Sequence, residues 1–244
     1  MPVITRPHTS FLTTRWTHVH AAKSDSDEGR KALADLCDAY YEPVVTFLRF
    51  EFQDADKARE FAHSFFANVL SGGAFDTADQ ERGRFRSYLL GAVKHFLSHQ
   101  RERGQSVKRG GDAEIFSMDE TASAAHAIPD ATQLSADAAD AAYDRQWALT
   151  VLAHAMDRLR DECAAQKKTA LFDQIKPWLT GDAGHGDQAA LAEECGMGVS
   201  ALKMTIQRLR QRFREHLLEE ISGTLDDPSM AQEEMRSLIA ALAA

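Results

Sequence analysis

Two sets of cations at helical spacing are the residues of this 244-residue chain best suited to do chemistry. The first comprises Arg84, Arg86, Lys94, His95, His99 and Arg101, with Ser98 among them and Arg82 and Arg103 at the margins. The second comprises Ser200, Ala201, Lys203, Met204, Gln207 and Arg208, followed by Arg210, Arg212 and Arg214. Guanidinium and ammonium groups neutralise phosphates, and Ser, Lys, Gln and Arg also hydrogen-bond base edges. A lone cationic helix face is more often merely solvated, so the surrounding chain decides what these residues do. His95 and His99 stand at i, i+4 and could share a metal, but no third ligand is evident and contact with DNA is the preferred reading.

Net charge is −9, which at first argues against nucleic acid. Its distribution reverses that. Residues 81–110 carry eight Lys/Arg against two acids, residues 111–144 carry eight acids and no Lys or Arg, and residues 199–216 carry five Lys/Arg against one acid. Fields are screened over ~8 Å at physiological salt, so local patches matter more than the total. The three scattered cysteines, Cys37, Cys163 and Cys195, make neither a disulfide framework nor a zinc site and read as reduced packing residues. No apolar run approaches the ~18 residues of a membrane span, and the N-terminus lacks a signal-peptide core. The expectation is a cytoplasmic protein with no membrane contact, no metal and no cofactor. Without a phosphate-binding Gly loop, an HExxH or a nucleophile elbow, the chain does not read as an enzyme.

The elements that position these residues all read as helices. Ser10 or Thr13 caps a short helix with Phe11, Leu12 and Trp16, and residues 25–30 form a turn. A stripe at Leu33, Leu36, Tyr40, Val44, Phe47 and Leu48 follows, with Pro43 kinking or restarting it. Asp54 or Asp56 caps a helix with Phe61, Phe65, Phe66 and Val69, which ends at Ser71-Gly72-Gly73. Phe85, Leu89, Ala92, Val93, Phe96 and Leu97 then form the buried spine opposite the first cationic set. Residues 104–142, rich in Gly, Ala, Ser and Asp, read as a flexible acidic linker.

Beyond it come helices marked by Ala148, Val151, Leu152, Ala155, Met156 and Leu159, then by Leu171, Ile175, Trp178 and Leu179, and a loop over residues 181–186. QAALAEECGMGVSALKMTIQ, residues 188–207, has the signature of a helix-turn-helix. Small Ala192 sits at the crossing, Gly196 supplies the positive φ of the turn, and Met197, Leu202 and Ile206 face inward. Ser200 is placed to cap the second helix. A terminal helix from Met230 to Ala244 follows the break at Asp227-Pro228.

Three stretches in this order resemble bacterial RNA polymerase sigma factors of the extracytoplasmic-function type, over roughly residues 31–103 and 146–221. DADKAREFAHSFFANVL resembles the helix that docks on the polymerase clamp, FRSYLLGAVKHFLSHQRER the promoter-melting and minus-ten helix, and QAALAEECGMGVSALKMTIQRLRQRFRE the minus-thirty-five helix-turn-helix. TTRW, ERGRFRSYLL and FDQIKPWLTG resemble a longer subgroup with an N-terminal extension and a C-terminal tail.

The resemblance implies an all-α fold of two helical domains. Its divisions are an extension (1–30), a polymerase-docking and minus-ten domain (31–103), the linker (104–142), a helix-turn-helix domain (143–222) and a tail (223–244). It implies promoter DNA and the clamp and flap regions of core polymerase as partners. The expected polymerase contacts are Asp56, Glu60, His63 and Phe66. The expected minus-ten contacts are Arg84, Arg86, Lys94, His95, Ser98, His99 and Arg101, and the expected minus-thirty-five contacts are Ser200, Ala201, Lys203, Met204, Gln207 and Arg208.

The chain departs from the family at Lys57 and Arg59, where an acidic cluster is usual, which predicts weak intrinsic polymerase binding. Phosphorylation at Ser64 would restore negative charge, so a kinase or an anti-sigma factor is the regulatory partner implied. The alternative expectation is a helix-turn-helix regulator that never joins polymerase.

Overall fold

The computed structural model describes residues 26–70, 84–108, 130–179, 188–225 and 227–243. The expected N-terminal helix at Phe11–Trp16, the glycine stop at Gly72-Gly73, the middle of the linker, and the loop at 181–186 lie outside them. Every regular element described is helical. No helix among the described residues is long and apolar enough to cross a membrane. Two compact units form: one from the described part of residues 13–150 with 222–244, the other from residues 151–221.

In the first unit, α1 spans Asp27–Phe52, α2 Ala55–Leu70 and α3 Phe85–Lys108. The Ser26 side chain caps α1 by accepting from the Gly29 N–H at 3.0 Å, and Asp27 and Glu28 suit the positive end of its dipole. The expected turn at 25–30 is thus already helical from Asp27. Pro43, also expected to interrupt this helix, is buried inside α1, which runs through without a break. Asp54 Oδ1 accepts from the N–H groups of Asp56 and Lys57 at 2.9 and 3.1 Å, so Asp54 is the cap of α2.

Aromatic pairs knit the three helices. Phe52 meets Phe61 at 4.5 Å between centroids, Tyr40 meets Phe85 at 5.1 Å and Phe65 meets Phe96 at 5.6 Å. The expected spine of α3 is largely buried at Phe85, Leu89, Val93 and Leu97, while Ala92 and Phe96 are half-buried. Each fully buried large apolar side chain contributes about 1.5–3 kcal/mol.

Helix α4 spans Asp130–Ala165, and its residues up to Thr150 belong to this unit. Residues 104–108 and 130–142, expected in a flexible linker, are therefore helical. Residues 104–108 continue α3; for 130–142 the physical reason is that alanine favours helix, and Ala139, Tyr143 and Trp147 form a buried stripe at four-residue steps. The terminal segment completes the unit. After a 3-10 turn at Pro228–Met230, α8 covers Ala231–Ala243 and buries Ala231, Glu234, Met235 and Leu238.

The second unit holds the rest of α4, α5 (Thr169–Leu179), α6 (Gln188–Glu194) and α7 (Val199–Ser222) up to Ile221. Its core is Met156, Leu159, Cys163, Phe172, Ile175, Trp178, Leu179, Leu191, Ala192, Leu202 and Ile206. Cys163 is one of these packing residues, and burial pushes its thiol up, away from the thiolate. Arg210 ties α7 to the end of α5, donating to the Trp178 carbonyl through Nε at 3.0 Å and Nη2 at 2.6 Å. That satisfies one of the carbonyls a helix C-terminus leaves open.

Candidate nucleic-acid interface

The turn between α6 and α7 follows from its residues. Gly196 has φ +64°, its N–H donates to the Glu193 carbonyl at 3.0 Å, and the Met197 N–H donates to the Ala192 carbonyl at 2.9 Å. This is the Schellman pattern, in which a left-handed residue reverses the chain and satisfies the last carbonyls. Helix α7 begins at Val199, and the Leu202 N–H donates to the Gly198 carbonyl at 3.0 Å. Ser200 is therefore inside the first turn, and the capping position, one step before Val199, falls to Gly198.

Leu202 and Ile206 point into the core, so Ser200, Ala201, Lys203, Met204, Gln207 and Arg208 are all exposed on the remaining face. Among the described residues, Lys203, Gln207 and Arg208 form no ion pair or side-chain hydrogen bond. Met204 is 51% exposed, an apolar group suited to a thymine methyl. The later cations of α7 divide: Arg214 is exposed, while Arg212 is engaged by Glu162 and Glu215. His216 lies buried 3.1 Å from the same Glu162 carboxylate. The Arg212 hydrogen bond holds Glu162 below the usual carboxylate range.

On α3 the outcome differs. Arg86, expected at phosphates, is 7% exposed: Nε donates to Glu234 Oε1 at 2.6 Å, Nη1 pairs with Asp144, and the guanidinium stacks 4.8 Å from the Trp147 ring. Burial pushes this guanidinium down, and the bonds to Glu234 and Asp144 outweigh it, so the net shift is upward. Arg84 lies 3.0 Å from Glu234 and 3.8 Å from Glu233. Lys94 donates to Asp140 at 2.7 Å and Arg101 to Glu51 at 2.9 Å. The placement of Arg86 in the DNA site is thereby corrected. An acid on α8 and another on α4 make it a buried structural cation, and Arg84, Lys94 and Arg101 are already neutralised in part.

His95 and His99 meet through their Nε2 atoms at 3.0 Å, and burial, then the neighbouring His99, pushes His95 down. Among the described residues, no group of three or more His, Cys, Asp or Glu is arranged to hold a metal. Ser98, exposed, donates to the Lys94 carbonyl at 3.2 Å.

Of the expected polymerase contacts, Asp56, Glu60 and His63 are exposed on α2. Asp56 pairs with Arg59 at 3.4 Å, and the Tyr41 hydroxyl shares a 2.8 Å hydrogen bond with His63 Nε2. Phe66 is 7% exposed and belongs to the core, because Ala58, Ala62, Phe65, Phe66 and Val69 make one buried stripe. Lys57 and Arg59 are both exposed on the same helix.

The residues missed in the sequence are Glu234, Asp144 and Asp140. One signal was available: Ala231, Glu234, Met235 and Leu238 share a helix stripe, and an acid on an apolar stripe demands a cation. Searches against protein-family models, curated proteins and solved structures found no match.

Proposed function

We propose that this chain is a transcription initiation factor of the extracytoplasmic-function sigma type, whose α7 reads duplex promoter DNA. The observation that carries this reading is the exposed face of Ser200, Ala201, Lys203, Met204, Gln207 and Arg208 on a helix entered through the Gly196 turn. A helix presenting a few polar and cationic side chains from its first turns fits the major groove. Of the expected minus-ten residues on α3, Ser98 and Arg101 are exposed and Arg84, Lys94, His95 and His99 half-exposed, and this reading assigns them to the minus-ten element.

Energy requires a partner. Stacking is worth ~1.4 kcal/mol per step, so opening about ten steps costs ~14 kcal/mol. Trapping a base returns ~1–3 kcal/mol. Core polymerase with its own DNA channel supplies the difference.

The test is to replace Lys203 or Arg208 with Glu. Both side chains are exposed, so the fold and polymerase binding stay intact while promoter-directed transcription is lost. Normal transcription from both variants would refute the assignment. A second reading, a DNA-binding regulator that never joins polymerase, is favoured by exposed Lys57 and Arg59 on α2. Absence of co-purifying core polymerase, together with retained duplex binding, would select it.

A further inference from the structure

The C-terminal helix carries an acid where packing alone would favour a hydrophobe. Glu234 is 0% exposed, between Met235 and the Ala231–Leu238 stripe. A leucine of similar volume would fill that face without desolvating a carboxylate, and buried ion pairs often stabilise less than apolar replacements. What an acid adds is docking that depends on the charge of its partner. Those partners are Arg84 and Arg86, and the Phe85 N–H between them donates to the Thr224 carbonyl of the same terminal segment at 3.4 Å.

The two arginines are held unequally. Arg86 keeps Asp144, the Trp147 ring and the Tyr143 hydroxyl, which donates to its carbonyl at 3.1 Å, whether or not α8 is present. Arg84 has a side chain 34% exposed. Its contact with Glu234 Oε2 is an ion pair and not a hydrogen bond, and Glu233 is at the outer limit of a pair. Among the described residues Arg84 pairs with no other acid, so removing α8 frees it there and leaves Arg86 in place.

We propose that α8 is an intramolecular lock on the start of α3, in which Glu234 and Glu233 take the place of nucleic-acid phosphates against Arg84. Displacement of α8 makes that cation available to single-stranded DNA. This rests on the reading of α3 as a nucleic-acid element, and it adds a built-in restraint on it.

The experiment measures binding of the full-length chain to a fluorescent single-stranded oligonucleotide across a salt series. The Glu233→Gln/Glu234→Gln double variant keeps the shape of α8 and removes its charge. One added phosphate contact should steepen the log–log salt slope by about 0.7 and raise low-salt affinity by about threefold or more. Adding Arg84→Gln should return both to the wild-type values. A second variant, Leu238→Ala, loosens α8 through its buried side chain with the acids intact, and should give the same gain. Circular dichroism establishes which variants are folded. Unchanged affinity and slope in a folded double variant overturn the lock. If that variant is unfolded, the same result in Leu238→Ala overturns it. Transcription is read separately. A gain in single-strand binding without any polymerase-dependent transcript keeps the lock and refutes the sigma reading, and the converse refutes only the lock.

Discussion

Arg86 and Arg208 look alike in the sequence and end in opposite environments. Arg208 follows Leu202 and Ile206 by a spacing that turns it outward, and that was legible from helix period alone. Arg86 pairs with Asp144 and Glu234, 58 and 148 residues away. No local pattern reports such partners. Arg86→Ala should therefore act on stability: it removes the hydrogen bond to buried Glu234 and leaves that carboxylate with Arg84 alone, and breaking a buried pair costs about 3–5 kcal/mol. Urea denaturation measures the loss, and a change below about 1 kcal/mol would show the cluster to be dispensable.

Glu162 gives a pH signature. Its folded-state pKa is lowered, first by the hydrogen bond from Arg212. The stability it contributes is thus present above its unfolded pKa and is lost as pH falls through the lower folded value. Glu162→Gln should reduce the melting temperature near neutral pH, with the gap to wild type closing as pH falls below the ordinary carboxylate range. A gap independent of pH would remove the ion pair from the account.

Among the elements, the α6–α7 turn was the most legible, because left-handed backbone has a narrow residue preference and Gly196 supplies it. A Cβ built on Gly196 meets nothing within 4 Å, so the cost of Gly196→Ala is backbone strain alone, about 1–2 kcal/mol. Chemical denaturation checks this; no loss would mean the turn relaxes to another conformation. The spine of α3 and the cap of α2 were equally readable. The start of α4 was not. Its low apolar content resembled a linker, yet alanine needs little burial to sit in a helix, and Tyr143 and Trp147 anchor it. The tail was readable as a helix, but its place in the first unit depends on Glu234 and Thr224 meeting residues far away in sequence.

At the scale of the whole molecule, a net charge of −9 coexists with an exposed cationic face on α7 because much of the remaining positive charge is matched internally. Arg86, Lys94, Arg101, Arg158 and Arg212 all pair with acids. In the proposed function, duplex recognition then falls to α7 and the energetic burden of strand opening to a partner. The central claim is that this partner is core RNA polymerase. The most direct measurement is reconstitution of the purified chain with core polymerase on a library of promoter fragments, with transcript starts mapped by sequencing. The account predicts discrete starts that require the chain and vanish with Lys203→Glu or Arg208→Glu. Identical transcripts with and without the chain, at saturating protein, would contradict it.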